Sequence, residues 1–242
     1  MDKTVVYAGR DLESMSFAMN YHEWILDEFR PFLGKHFVEV GAGTGSFSEL
    51  LLQENPQTLS LIEPSEMFGQ LQNNILQLKS ESAVKLYQSV FTKAAAEIAA
   101  RQKPDSIVYV NVLEHIEDDL TELKTIYQTL EKGGRCFIFV PALMGLYGEF
   151  DRKIGHFRRY TKSELKNKCK LAGFNIIKSK YFDFAGIIPW YAKYKILKSD
   201  SLNAGAVTLY DKIVVPVTSR LEKIIPVPIG KNLLLIAEKN EN

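Results

Sequence analysis

The sequence predicts an α/β protein built on a doubly wound sheet, with helices on both faces and a helical insertion before the last strand. Short β-branched and aromatic runs alternate with helical patterns along most of the chain. Several of these runs are apolar without strict alternation, as in strands covered on both faces of a largely parallel sheet. The first of them passes through a glycine-rich turn directly into a helical pattern. With 242 residues, 46% hydrophobic and 24% charged, the chain suits a single α/β domain spanning 1–242 with a substantial core. This composition excludes a disordered or collagen-like chain.

Seven candidate strands fall at 36–40, 58–62, 84–87, 106–110, 136–140, 174–181 and 233–237. The segments between the first five are long enough for crossover helices. Ahead of the first strand, 15–29 is an amphipathic helix carrying Tyr21 and Trp24, part of an N-terminal helical lid at about 11–30. Ser65 after Pro64 is placed to cap a helix running to about Leu78. Gly133-Gly134 ends a helix from about Asp119 to Glu131. Thr161-Lys162-Ser163-Glu164 is a capping-box pattern, and the helix it opens closes at Gly173. The stretch at about 183–231 breaks the alternation with two helical patterns, 188–197 and 206–225, and no flexible linker separates it from the rest.

No apolar run reaches the ~18 residues that span a bilayer, and the beginning of the chain lacks the apolar stretch of a signal peptide. Cys136 and Cys169 form no CxxC pattern, so a reduced, cytoplasmic compartment is expected. The net charge of +1 hides a segregation: 152–198 holds 13 Lys/Arg against Glu164 and Asp183, a balance of +11 that leaves −10 elsewhere.

The chemistry concentrates in Glu39-Val40-Gly41-Ala42-Gly43-Thr44-Gly45-Ser46. Glycine permits positive φ and close approach of a ligand to the backbone. The dinucleotide fingerprint GxGxxG fails here, because Ser46 and Ser48 stand where its last glycine is required. A carboxylate at Glu39, just before the turn, opposes a pyrophosphate but suits an ammonium group. Glu63, 20 residues beyond Gly43, is placed to accept both hydroxyls of a ribose, which serves either kind of ligand.

ExGxGxG followed by a ribose acid resembles the class I S-adenosylmethionine (SAM) dependent methyltransferases, specifically their small-molecule branch. Asp105 to Ile116, with Asn111-Val112-Leu113-Glu114-His115, resembles the family's fourth-strand motif, and Leu130-Glu131-Lys132-Gly133-Gly134-Arg135 its turn before the fifth strand. The resemblance implies a Rossmann-like methyltransferase sheet and SAM as cofactor, with S-adenosylhomocysteine as product. It further implies that Gly41, Gly43 and Gly45 pass close to the methionine and ribose, and that Glu39 holds the ammonium. Glu63 would bind the ribose, Pro64 and Met67 flank the adenine, Asn111 offer its carbonyl to the ammonium, and Tyr21 close over the carboxylate. Relatives often carry an acid after the third strand; Gln88-Ser89-Val90-Phe91 supplies none, so adenine contacts there would be backbone only.

Leu146 to Thr161, with Gly155-His156-Phe157-Arg158-Arg159-Tyr160, resembles a segment of a bacterial branch that modifies small metabolites and glycan or lipid precursors. It follows the C-terminal end of a strand, where open α/β sheets bind ligands. Tyr147, Arg158, Arg159 and Tyr160 are therefore expected to bind substrate, the arginines through forked donors to carboxylate or phosphate. The same residues also fit arginines paired to acids on neighbouring helices, with Tyr160 under a helix cap.

His115 and His156 are the expected catalytic residues, needed only when the nucleophile arrives protonated; Glu114 and Asp151 are lesser candidates. No metal is expected, because Glu114, His115, Asp118 and Asp119 have no second histidine within helical reach, and the acids suit a helix N-terminus. The GxSxG elbow of covalent hydrolases is absent. Along 187–198, Ile187, Trp190, Tyr191, Tyr194 and Leu197 fall at helical spacing among lysines. This is either a covering helix packed on the domain or, in the sharper reading, a substrate lid or a membrane-surface element. The predicted function is methyl transfer from SAM to an O, N or C nucleophile of a small or lipid-linked, anionic acceptor, with nucleic acid disfavoured as a partner. The alternatives are a nucleotide-dependent oxidoreductase and a non-catalytic SAM-binding protein. The oligomeric state stays open.

Overall fold

A computed structural model describes residues 18–199, 201 and 203–240. Seven strands form one sheet in the order β3-β2-β1-β4-β5-β7-β6. They are β1 (His36–Val40), β2 (Thr58–Ile62), β3 (Ala83–Tyr87), β4 (Ser106–Val110), β5 (Arg135–Pro141), β6 (Asn175–Phe182) and β7 (Asn232–Glu238). The first five are parallel, and β7 runs antiparallel between β5 and β6. The expected strands are present within two residues at each end.

The unbroken apolar character of the central strands follows from the two layers. Val38, Val40, Ile107, Tyr109, Ile138 and Val140 face one core, with the helices Phe91–Arg101, Asp119–Thr129 and Lys162–Leu171. Their neighbours Phe37, Val108, Phe137 and Phe139 face the other, with the helices Met19–Phe29, Ser46–Gln53 and Phe68–Gln77. Side chains alternate between faces, so a strand buried on both is apolar at most positions, with Glu39 of β1 a buried exception. Cys136 and Cys169 are free, buried members of the first core.

Thr161 caps its helix as expected, its hydroxyl accepting from the Glu164 N–H at 3.2 Å, and Gly173 closes the chain at φ +105°. Ser65 does not cap the next helix. Its N–H donates to Glu63 at 2.8 Å and its hydroxyl accepts from the Met67 N–H at 3.2 Å, which holds a turn until the helix starts at Phe68. Each half of the insertion is a helix that widens into a π segment: Ile187–Trp190 into Tyr191–Ile196, and Ala204–Leu209 into Tyr210–Val214, then Val215–Ile224.

The expected lid is described from residue 18 onward; its positions 11–17 lie outside the described residues. The helix Met19–Phe29 is packed rather than loosely covering, with Ile25 and Phe29 fully buried. Asp211 of the insertion caps it from 190 residues away, accepting the Tyr21 N–H at 2.8 Å and the Asn20 N–H at 3.1 Å. Among the described residues no helix is long and apolar enough to cross a membrane.

Candidate active site

The strand order reverses between β1 and β4, the place where an open α/β sheet leaves a crevice beyond its carboxyl ends. A cavity of about 320 Å³ lies there, roofed by the helix Met19–Phe29 and the insertion. Ten of the expected site residues line it: Tyr21, Glu39, Gly41, Gly43, Glu63, Met67, Asn111, His115, His156 and Arg159. Gly45, Pro64, Tyr147, Arg158 and Tyr160 do not.

The glycine bend divides its labour. Gly41, at φ +71°, donates its N–H to Ile62 at 2.8 Å, and a Cβ there would stand 2.5 Å from Val112 Cγ2. Gly43, at φ +57°, donates to Glu63 at 2.8 Å, and a Cβ there would meet nothing within 4 Å. Gly41 thus serves packing, whereas Gly43 leaves open space over the bend. Gly45, at φ +96°, turns the chain into the helix Ser46–Gln53 against Leu71, so it shapes the bend without facing the cavity.

Glu39 is buried, accepts a hydrogen bond from the Ser48 hydroxyl, and forms no ion pair among the described residues. Burial pushes its carboxyl up to about 8, with the Ser48 bond opposing and nearby Glu63 adding to the rise. A buried acid without a cation, beside an open cradle, fits a ligand with a cationic amino-acid end. Glu63 accepts from Gly43 and Ser65 through separate oxygens, and each oxygen keeps acceptor capacity. Asn111 sits at φ +55°, its N–H donating to Phe139 at 2.8 Å. Met67 lines the cavity, whereas Pro64 and residues 88–91 lie outside its lining. The Tyr21 ring lines the cavity, yet its hydroxyl donates to Asp183 at 3.1 Å and accepts from Asn232 at 3.0 Å, so it is already engaged.

At the other end, the turn Leu113–His115 after β4 meets the loop carrying His156. The Phe157 N–H donates to the Glu114 carbonyl at 2.9 Å and pins the two together. Burial, with His156 close by, lowers His115 to about 3, and burial also lowers His156. Both are neutral at physiological pH and weak proton acceptors, whereas burial lifts Glu114 to about 8. Asp151 is fully buried and held low: its partners are His156, Arg159 and the Gly148 N–H.

Of the four expected substrate residues Arg159 alone lines the cavity, with its guanidinium on Asp151 at 2.8 Å and over the Trp190 ring at 4.8 Å. Arg158 instead pairs with Asp119 at 2.6 Å and donates to the Glu117 carbonyl. Tyr160 is fully buried, its hydroxyl donating to Asp119 at 2.7 Å beneath the start of the helix Asp119–Thr129. Tyr147 donates to the His156 carbonyl at 2.7 Å and steadies that loop from behind. Arg158→Ala is therefore expected to lower stability by about 1–2 kcal/mol while leaving acceptor KM unchanged, as thermal melts and saturation kinetics will read.

The insertion supplies one residue that local patterns did not single out, Lys231. Lys231 pairs with fully buried Asp183 at 2.9 Å, its ammonium lying over the rings of Tyr21, Trp190 and Tyr210. Trp190, Lys193 and Tyr194 line the cavity from the roof, while Ile188, Tyr191, Ile196 and Leu197 on the outer side are exposed. The 187–198 stripe is thus split, half covering the cavity and half facing solvent.

The fold, with an acid–glycine bend at its switch point, defines the class I SAM-dependent methyltransferases. The chain belongs to the methyltransferase-domain family, whose model matches residues 19–179. A ubiquinone biosynthesis O-methyltransferase of Aeromonas salmonicida (strain A449) is 29% identical over 119 residues, covering 48% of this chain. The matched stretch is 47% of that enzyme, so the chain spans about half the length of the curated relative it matches. Among solved structures, a SAM-dependent methyltransferase from Archaeoglobus fulgidus superposes with a TM-score of 0.55 at 17% identity, covering 90% of this chain and 94% of its own. Burkholderia thailandensis 1,6-didemethyltoxoflavin-N1-methyltransferase, with bound 1,6-didemethyltoxoflavin and S-adenosylhomocysteine, gives 0.61 at 16%, covering 96% and 82%.

Proposed function

We propose that this chain binds SAM in the bend between β1 and β4 and transfers its methyl group to a small metabolite held beneath the helical roof. The observation that carries this reading is the continuity of one cavity, from Glu39 and Gly43 at one end to Glu114, His115 and His156 at the other. Glu39 would hold the cofactor's ammonium and Glu63 its ribose, with Met67 against the adenine and Asn111 beside the amino-acid end. When bound, SAM supplies an activated methyl on a sulfonium. The chain's own contribution is then alignment and exclusion of water: Trp190, Tyr194 and Phe150 cover the acceptor end with apolar rings. Glu114, His115 and His156 are the groups that meet an acceptor's proton there.

Oxygen is the favoured nucleophile, supported by the O-methyltransferase among the relatives. Lys193 at the wall is the cationic group that supports an anionic acceptor; Arg159 and Lys231, which also line the cavity, are each paired to a buried acid. The exposed Ile188, Tyr191, Ile196 and Leu197, among Lys193, Lys195 and Lys198, favour a lipid-linked one reached from a membrane surface. Co-sedimentation with anionic vesicles checks the last point, and loss of binding in an Ile196→Ser, Leu197→Ser variant is the expected result. Calorimetric titration with SAM, S-adenosylhomocysteine and NAD tests the donor: binding of the first two without the third is expected, and NAD binding alone would favour an oxidoreductase. Labelled-methyl transfer to a panel of hydroxylated, anionic and prenylated acceptors separates a catalyst from a non-catalytic SAM-binding protein.

A further inference from the structure

We propose that Glu114, His115 and His156 form a binding site for one divalent transition-metal ion of the zinc class, at the acceptor end of the cavity. Each residue presents one ligand atom there, and these atoms lie within 4.8 Å of one another. The rings of the two histidines meet edge to face, centroids 4.5 Å apart. All three residues line the cavity.

The hydrogen bonds around His156 fix what its second nitrogen offers. Asp151 is a buried carboxylate that takes Arg159 on one oxygen and the Gly148 N–H at 2.9 Å on the other. His156 Nδ1 lies 2.9 Å from the Asp151 oxygen that takes Arg159 and must donate to it. Nε2 is then left with a bare lone pair. It faces Glu114 Oε1 at 3.7 Å, and Glu114 is fully buried with neither oxygen reaching a hydrogen-bond donor on another residue.

With Glu114 ionised, two lone pairs would face each other here and need a positive charge between them, and the distance decides which. A shared proton requires a separation of about 2.5–3.0 Å. A metal ion with bonds of about 2.0–2.2 Å on each side holds its ligand atoms roughly 3.3–4.2 Å apart. The 3.7 Å gap is too long for the proton and within the range for the metal. Bringing all three atoms to coordination distance needs the widest pair to close by about half an ångström.

The donor set chooses the class of ion. Two imidazoles and one carboxylate suit zinc, cobalt or iron(II), whereas magnesium and calcium favour all-oxygen shells. Asp151 behind His156 supplies the carboxylate–histidine arrangement that orients a ligating ring. The remaining coordination positions open onto the cavity, where a water or an acceptor oxygen completes the shell. The site stands independently of the methyl donor, since none of its atoms belongs to the glycine bend.

The test reads the ion and not methyl transfer. The full chain, cleared with a chelator, is titrated with Co2+ by visible absorption and with Zn2+ by calorimetry and thermal melting. One ion per chain, a d–d band in the visible and a rise in melting temperature are expected. Glu114→Gln and His156→Asn, each checked as folded by circular dichroism, are expected to weaken Zn2+ at least 100-fold. Asp151→Asn should weaken it by roughly 10–100-fold. Absence of a Co2+ band and of Zn2+ heat in the unaltered chain would overturn the site. So would an affinity that both Glu114→Gln and His156→Asn leave unchanged.

Discussion

Glu39→Gln is expected to weaken SAM binding by about 100-fold while making the protein more stable at pH 8. The amide keeps the shape and can still accept from Ser48, so the core around it need not move. What it removes is the buried charge that would meet the cofactor's ammonium, and losing one partner of such a pair costs about 3 kcal/mol. The stability effect has the opposite sign. In the folded chain the Glu39 carboxyl keeps its proton up to about pH 8, whereas in the unfolded chain it ionises near 4.5. Between those values the native state binds more protons, so stability falls as pH rises through that window. Gln has no proton to release, and its melting temperature should fall less from pH 5 to pH 8. Glu114 is raised in the same direction and keeps part of the slope in the variant. In the unaltered protein, SAM binding at pH 7 should release protons, read as a dependence of the calorimetric heat on buffer ionisation enthalpy, and Glu39→Gln should reduce it.

The second large effect is at Gly43. Gly43→Val is expected to abolish measurable SAM binding, a loss of more than about 100-fold, with a folding cost of only about 1–2 kcal/mol from a β-branched residue at φ +57°. Beyond the adjoining residues no protein atom lies within 4 Å of the new Cβ, so its branches enter the space that the cofactor is proposed to fill. Gly41→Ala separates the two kinds of glycine. Its Cβ would strike Val112, so the expected result is a drop in melting temperature that precedes any effect on binding. Titration with SAM and thermal melts of both variants check the contrast. A Gly43→Val protein that binds SAM normally would move the cofactor off the bend.

Much of this molecule is legible from local pattern alone. Strand existence, the two-sided burial of β1, β4 and β5, the cap at Thr161 and the left-handed glycines follow from side-chain period and backbone sterics, which act over a few residues. The bend carries its chemistry in the same way, because Glu39, Gly41 and Gly43 are set by one strand and its turn. The acceptor half is different. Arg158 and Arg159 are adjacent, and nothing local tells that one pairs with Asp119 at the helix start while the other turns to Asp151 and the cavity. Glu114 and His156 are 42 positions apart, so no helical spacing joins them; a loop pinned by Phe157 does. Asp211 at the first helix and Lys231 beside Asp183 are joined across even longer stretches.

The sequence by itself determined the sheet, its punctuation and the cofactor-type bend, since each rests on interactions between near neighbours. Tertiary structure alone decided which charged and aromatic side chains share the cavity, because buried charges settle wherever the packed elements bring a partner within reach.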